Sequence, residues 1–75
     1  MKRLHDVRPG HLARIISICG GGECGRRLAD LGIIEGEKIK MLHNTGVGPV
    51  TVAVKGSKLS LGHGLAMKIA VKEEE

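Results

Sequence analysis

Between Arg26 and Gly36 the chain reads Arg26-Arg27-Leu28-Ala29-Asp30-Leu31-Gly32-Ile33-Ile34-Glu35-Gly36, the end of a short helix, a glycine stop and the entry to a strand. Cys24, Leu28 and Leu31 are spaced four and three apart and so share one helical face. Glu23 and Arg27 stand four apart, acid first, the favourable order for a helical pair. Glu23 also lies where a helix N-terminus favours negative charge. Gly32 is a natural left-handed stop, because glycine takes positive φ without steric cost, and it puts Ile33 within reach of Leu28. The predicted helix, about Glu23 to Leu31, is shorter than the ~12–15 residues at which isolated helices persist. Its Cys24/Leu28/Leu31 face must be covered by the rest of the chain, and that rest reads almost entirely as β-strand.

Arg8-Pro9-Gly10-His11 places Pro and Gly at the central positions of a type II turn. Leu12 to Cys19 is a strand by composition, but Ala13 and Ile15 share one phase and Ile16 and Ile18 the other. Either both faces are partly buried or a bulge shifts the phase midway. From Glu37 to His43 the alternation is clean, with Ile39, Met41 and His43 on one face, Lys38 and Lys40 on the other, and Leu42 on the lysine face. Val50 to Lys55 carries valine at every second position. Gly56-Ser57 suits a type II′ turn into Lys58-Leu59-Ser60-Leu61. Gly62 to Ala66 reads as one tight turn. Met67, Ile69 and Val71 then alternate with Lys68, Ala70 and Lys72, and the acidic tail, residues 73–75, has no reason to be ordered. The sum is one mostly β domain over residues 1–75, with about five antiparallel strands, one short α-helix and a tight turn near Gly62. A small sheet of this kind hides its apolar face and its edges by closing into a compact, partly open barrel.

The chain has no Phe, Tyr or Trp, so its core is aliphatic. Of its eight acidic residues three are Glu73, Glu74 and Glu75, so residues 1–72 hold twelve basic and five acidic groups, net +7. A basic surface favours acidic partners. No apolar run approaches the ~20 residues of a membrane span, and the N-terminus lacks the apolar stretch of a signal peptide. A cytosolic protein is expected, with Cys19 and Cys24 as free thiols.

Little in the sequence points to chemistry. Cys19-x4-Cys24 falls within zinc-ligand spacing but lacks the two further ligands a zinc site needs, so the pair reads as small core residues at a strand end and a helix start. His5, His11, His43 and His63 include no ligand-spaced pair; His43 is expected to point partly inward, His63 to be exposed. The glycine-rich stretches Gly20–Gly22 and Gly46–Gly48 lack the Gly-Lys-Ser/Thr of a phosphate loop. No Ser or Cys stands with a base and an orienting group. No catalytic residue, resident metal or cofactor is therefore assigned. Single-stranded nucleic acids are usually held by stacking on aromatics, which are absent here, so only weak, nonspecific phosphate attraction is expected.

The chain resembles the FeoA family over Leu4 to Val71. The resemblance rests on Pro9-Gly10, Arg27-Leu28-x-Asp30-Leu31-Gly32-Ile33 with Gly36, Gly48-Pro49-Val50, Val54-x-Gly56-x-x-Leu59-x-Leu61-Gly62 and Ala66-x-x-Ile69-x-Val71, in this order and spacing. It implies an SH3-like barrel and a non-enzymatic accessory role in ferrous-iron uptake, docking on the cytosolic GTP-binding part of the FeoB transporter. Leu42 and Val47, apolar residues near the glycine loop with no evident core role, are assigned with Arg26 and Arg27 to the docking surface. A monomer is favoured. Two alternatives stand beside this reading. One is a transition-metal sensor or carrier using His63 with Cys19 or Cys24; the other is a small nucleic-acid-binding barrel.

Overall fold

The computed structural model describes residues 2–18 and 22–74, with only the backbone for residues 22–24. Six strands form one antiparallel sheet: β1 (Lys2–Arg3), β2 (Leu12–Ile18), β3 (Lys38–His43), β4 (Val50–Val54), β5 (Ser57–Leu61) and β6 (Ile69–Glu74). Their order is β1-β6-β2-β3-β4-β5. A 3₁₀ turn, Leu4–Asp6, follows β1; helix α1, Gly22–Asp30, joins β2 to β3; a single-turn helix α2, His63–Ala66, joins β5 to β6. The sixth strand, beyond the five expected, is the two-residue β1, too short to show a period.

The core is wholly aliphatic. Leu4, Val7, Ala13, Ile15, Leu28, Ile33, Ile39, Met41, Val50, Val52, Val54, Leu61, Ala66, Ile69 and Val71 form one buried cluster, with Ile18 and Leu59 packed against it. No polar or charged residue is buried among the described residues. The strand phases decide who enters. In β4 the valines at 50, 52 and 54 are buried, while Thr51 and Ala53 are half-covered. In β2 the imperfect alternation resolves as a bulge: the register against β6 shifts between Ile15 and Ser17. Ala13 and Ile15 point in, Ile16 is turned out, and Ile18 returns to the core.

A second bulge corrects the reading of β3. The register against β4 shifts between Met41 and His43. His43, expected to point partly inward, is exposed, and Leu42 is half-buried. One extra residue reverses the face of everything after it.

Helix α1 ends as its sequence requires. The Gly32 N–H donates to the Ala29 carbonyl and the Ile33 N–H to the Leu28 carbonyl, each at 2.9 Å. Gly32 has φ +90°. This is the Schellman cap, and its apolar partners Leu28 and Ile33 are both buried. Leu31, however, does not share the packed face: it is 42% exposed. Ile33, brought back by the cap, fills the inward position instead. The packing of Cys24, the Glu23–Arg27 pair, Cys19 and the loop Gly20-Gly21 lie outside the described residues or side chains.

Three further expectations change. The β4–β5 turn is Lys55-Gly56, not Gly56-Ser57. Val54 pairs with Ser57, and Lys55 and Gly56 have φ of 50° and 80°, the two positive values of a type I′ turn. Met67 caps α2 rather than opening the last strand, and it is 43% exposed. The acidic tail is not disordered at Glu73 and Glu74. Both belong to β6 and pair with Ala13 and Leu12 of β2. Glu75 lies outside the described residues.

The acids at the end of β6 are held by basic neighbours. Lys2 Nζ donates to Glu73 Oε2 at 2.9 Å and Arg14 Nε to Glu74 Oε2 at 3.1 Å. His11 Nδ1 stands 3.2 Å from Glu73, and Lys38 Nζ 3.7 Å from Glu74. The Lys2 hydrogen bond holds the Glu73 carboxyl below its ordinary value, aided by the charges of Lys2, His11 and Arg8. The Arg14 hydrogen bond does the same for Glu74, aided by Lys38. Partial burial opposes both shifts.

Candidate functional site

The loop between β3 and β4 presents the most exposed large apolar residue among those described: Val47, 75% exposed. The loop is not loose. Asn44 Nδ2 donates to the carbonyls of His5 and Val7, both at 2.8 Å, which ties the loop to the turn after β1. Asn44 Oδ1 accepts the Gly46 N–H at 2.9 Å, closing an Asx turn. The Thr45 hydroxyl donates to the Val47 carbonyl at 2.8 Å. Gly46 and Gly48, at φ 88° and 76°, give the reversals on either side of Val47 that a residue with a Cβ adopts only under strain. Four side-chain hydrogen bonds thus hold one aliphatic side chain out into solvent. Leu42 lies on the strand entering this loop, half-buried beside the bulge.

Arg26 and Arg27 are exposed on α1. Neither pairs with a carboxylate among the described side chains. The structure does not bring them to Val47. The end of α1 lies against the β4–β5 turn, where a Cβ on Gly32 would stand 3.9 Å from Lys55 Cδ. Val47 precedes the other end of β4. Five residues of strand separate the two ends, roughly 15 Å at the usual rise. The four residues assigned from sequence therefore fall into two places, Val47 with Leu42 at one end of the sheet and the arginines at the other.

At the arginine end the structure adds Leu31, which the sequence reading placed on the packed face, and Ile34, to which it assigned no role. Leu31 and Ile34 are each 42% exposed. Arg27 and Leu31 stand four apart, on one side of the helix end. The signal available in the sequence was the cap itself: a Schellman turn sends the residue after the glycine inward, leaving the residue before it to solvent. Ile34 is followed by a turn whose Glu37 N–H donates to the Ile34 carbonyl at 3.1 Å.

Among the described residues no three His, Cys, Asp or Glu side chains form a group able to hold a metal ion. No helix is long and apolar enough to cross a membrane. His63, exposed as expected, has His5 as its neighbour. Cys19 and the Cys24 side chain, its partners in the metal alternative, lie outside the description.

Comparison with known proteins agrees with this architecture. The putative Fe(2+) transport protein A of Methanocaldococcus jannaschii is 46% identical over 54 residues, 69% of this chain and 65% of that protein. The match spans slightly less than two thirds of that relative's length. The crystal structure of an iron uptake regulatory protein, FeoA, superposes with a TM-score of 0.92 at 27% identity, covering 97% of each chain. The FeoA of Stenotrophomonas maltophilia, described as a prokaryotic SH3 domain protein, has a TM-score of 0.82 at 23% identity. It covers 99% of this chain and 96% of its own, and it identifies the partly open sheet as an SH3-like barrel. The profile of the FeoA domain matches residues 2–73, nearly the whole length, and the chain belongs to the FeoA domain family.

Proposed function

We propose that this protein is a non-enzymatic docking module of ferrous-iron uptake, binding the cytosolic GTP-binding part of an FeoB-type transporter. The observation that carries the reading is Val47, an aliphatic side chain held in solvent by a loop fixed by four hydrogen bonds. Ordered exposure of an apolar residue is what a docking contact needs, because little conformational entropy remains to be lost on binding. Leu42 supports the same end of the sheet. Family membership supplies the association with iron transport. Arg26 and Arg27, with Leu31 and Ile34 beside them, form a second, basic and apolar contact suited to an acidic partner surface.

The test is a titration of ¹⁵N-labelled protein with the transporter's cytosolic domain, with and without guanine nucleotide. Shifts should cluster at residues 42–48, and Val47→Asp should weaken binding at least tenfold. Arg27→Glu should weaken it less and make it less sensitive to salt. Binding left unchanged by Val47→Asp, Leu42→Asp and Arg27→Glu together would remove both surfaces from the reading.

A further inference from the structure

The outer face of the sheet carries a row of like charges. Strand register sets Arg14 of β2 directly opposite Lys38 of β3 on one side and Lys72 of β6 on the other. In the next row Lys40 stands opposite Leu12 and Ala53, and Ala53 opposite Lys58. Like charges placed opposite one another cost stability, and none of these basic side chains joins the core. Glu74, opposite Leu12, is the one acid in the two rows. It offsets only part of the charge, 3.1 Å from Arg14 Nε and 3.7 Å from Lys38 Nζ. Lys40, Lys58 and Lys72 are exposed and have no carboxylate partner among the described side chains. A local rule broken without a packing gain is the mark that a functional surface leaves in a fold.

Beside this row lies an apolar spot. The bulge in β2 turns Ile16 outward, 38% exposed, and bulges commonly re-aim a side chain in this way. Ile16 lines an open hollow of about 500 Å³ with Val71, Lys2, Lys72 and Glu73. Glu73 is already paired with Lys2, which leaves Lys72 as the free charge at the rim.

We infer that this face adsorbs on a bilayer surface of anionic phospholipid, its lysines among the headgroups and Ile16 toward the acyl boundary. Lysine predominates in it, whereas protein–protein interfaces favour arginine and are depleted in lysine. Long lysine stems lie along apolar surface while their charge stays at headgroup level, and such bases are drawn to anionic lipid. The sheet wraps the core with its inner side, so the outer face is convex. A nucleic-acid duplex is convex too, and the two would meet at few phosphates. Anionic lipids instead diffuse sideways and gather beneath the face. A phosphate backbone also offers nothing to Ile16. The face is distinct from Val47 and from the arginines of α1, and its binding to lipid does not depend on the docking reading.

The probes are vesicles of phosphatidylcholine alone and of phosphatidylcholine mixed with phosphatidylglycerol, free of any transporter, with co-sedimentation of the full chain as the readout. The protein should bind only the mixed vesicles, less as salt is raised. Lys40→Glu with Lys72→Glu, both at exposed positions, should keep the wild-type amide spectrum and weaken binding at least tenfold. Glu74→Gln should tighten it, and Ile16→Ser should remove the part that survives at high salt. Arg26→Glu with Arg27→Glu makes the same change of net charge on α1 and should weaken binding far less. The proposal is overturned if neutral vesicles bind equally well, or if the reversal on α1 weakens binding as much as the reversal on the sheet. It is also overturned if duplex DNA or polyglutamate binds more tightly than the mixed vesicles at the same salt, which would give the face to a nucleic acid or an acidic protein.

Discussion

The two ends of the sheet hold their exposed aliphatic residues by different means. At the Val47 end, order comes from side chains: Asn44 alone makes three of the four hydrogen bonds. At the Leu31 end, order comes from the backbone cap at Gly32 and from Leu28 and Ile33 buried beneath it. A surface built on polar side chains can be loosened without disturbing the core. A surface built on a helix cap cannot, because its support is the core. The first end is therefore the more separable of the two, and substitutions there test binding with less cost to folding.

The largest effect expected is at the helix end. Leu28→Ala removes a fully buried side chain and should cost about 2–5 kcal/mol. A 75-residue domain has roughly 4–11 kcal/mol in all, so chemical denaturation should show about half of the stability gone. Asn44→Ala comes next. It leaves two carbonyls and an N–H without their partner and should cost about 1–3 kcal/mol. Hydrogen exchange should rise at residues 44–48 while the valines of β4 stay protected; equal loss across the sheet would contradict the separability of the two ends. Gly32→Ala isolates the cap. The Cβ meets only Lys55 Cδ at 3.9 Å, so the cost is the backbone alone, about 1–2 kcal/mol, read as a lowered urea midpoint with an unchanged slope.

A pH titration probes a third support, the acids of β6. Glu73 and Glu74 have folded-state pKa values lowered by Lys2 and Arg14. Their contribution is complete above the unfolded glutamate value, about 4.3, and is lost as pH falls through the lowered folded values. Stability between neutral pH and pH 5 should therefore be flat with respect to these groups and decline below. Glu73→Gln should remove part of that acid dependence. Both carboxylates lie partly exposed at the sheet surface beside solvated bases, so the effect is small. The smallest effect belongs to Val47→Asp, which should change stability by less than ~0.5 kcal/mol while reducing transporter binding in the titration described above.

Much of the architecture was legible because it rests on local rules. The Gly32 stop depends on one residue's φ, the type II turn at Pro9-Gly10 on two, and the valines of β4 on a period of two. The absence of aromatic residues already required an aliphatic core. Family resemblance extended this to the barrel. The candidate site was half legible. Val47 and the arginines could be named as surface residues, because nothing in the core pattern claimed them. That they occupy opposite ends of β4 could not be read, since sequence distance carries no information about which turn α1 returns to.

What the sequence by itself determined was therefore the main elements, the Pro9-Gly10 turn, the Gly32 stop and most of the apolar set that fills the barrel, each from local dihedral preference or strand period. The β4–β5 turn it placed one residue late. The tertiary structure alone decided the bulges at Ile16 and Leu42, the exposure of Leu31, the ordering of Glu73 and Glu74 and the meeting of His5 with His63. A bulge is set by how a strand must bend against its neighbour, and Leu31 is exposed because Ile33 already fills the space beneath. The terminal glutamates are ordered by bases at positions 2, 11, 14 and 38, which only strand pairing brings to them. The histidines meet because the first turn and α2 close over the same core. In each case the deciding neighbour lies on a different element, and its distance along the chain says nothing of its place in the fold.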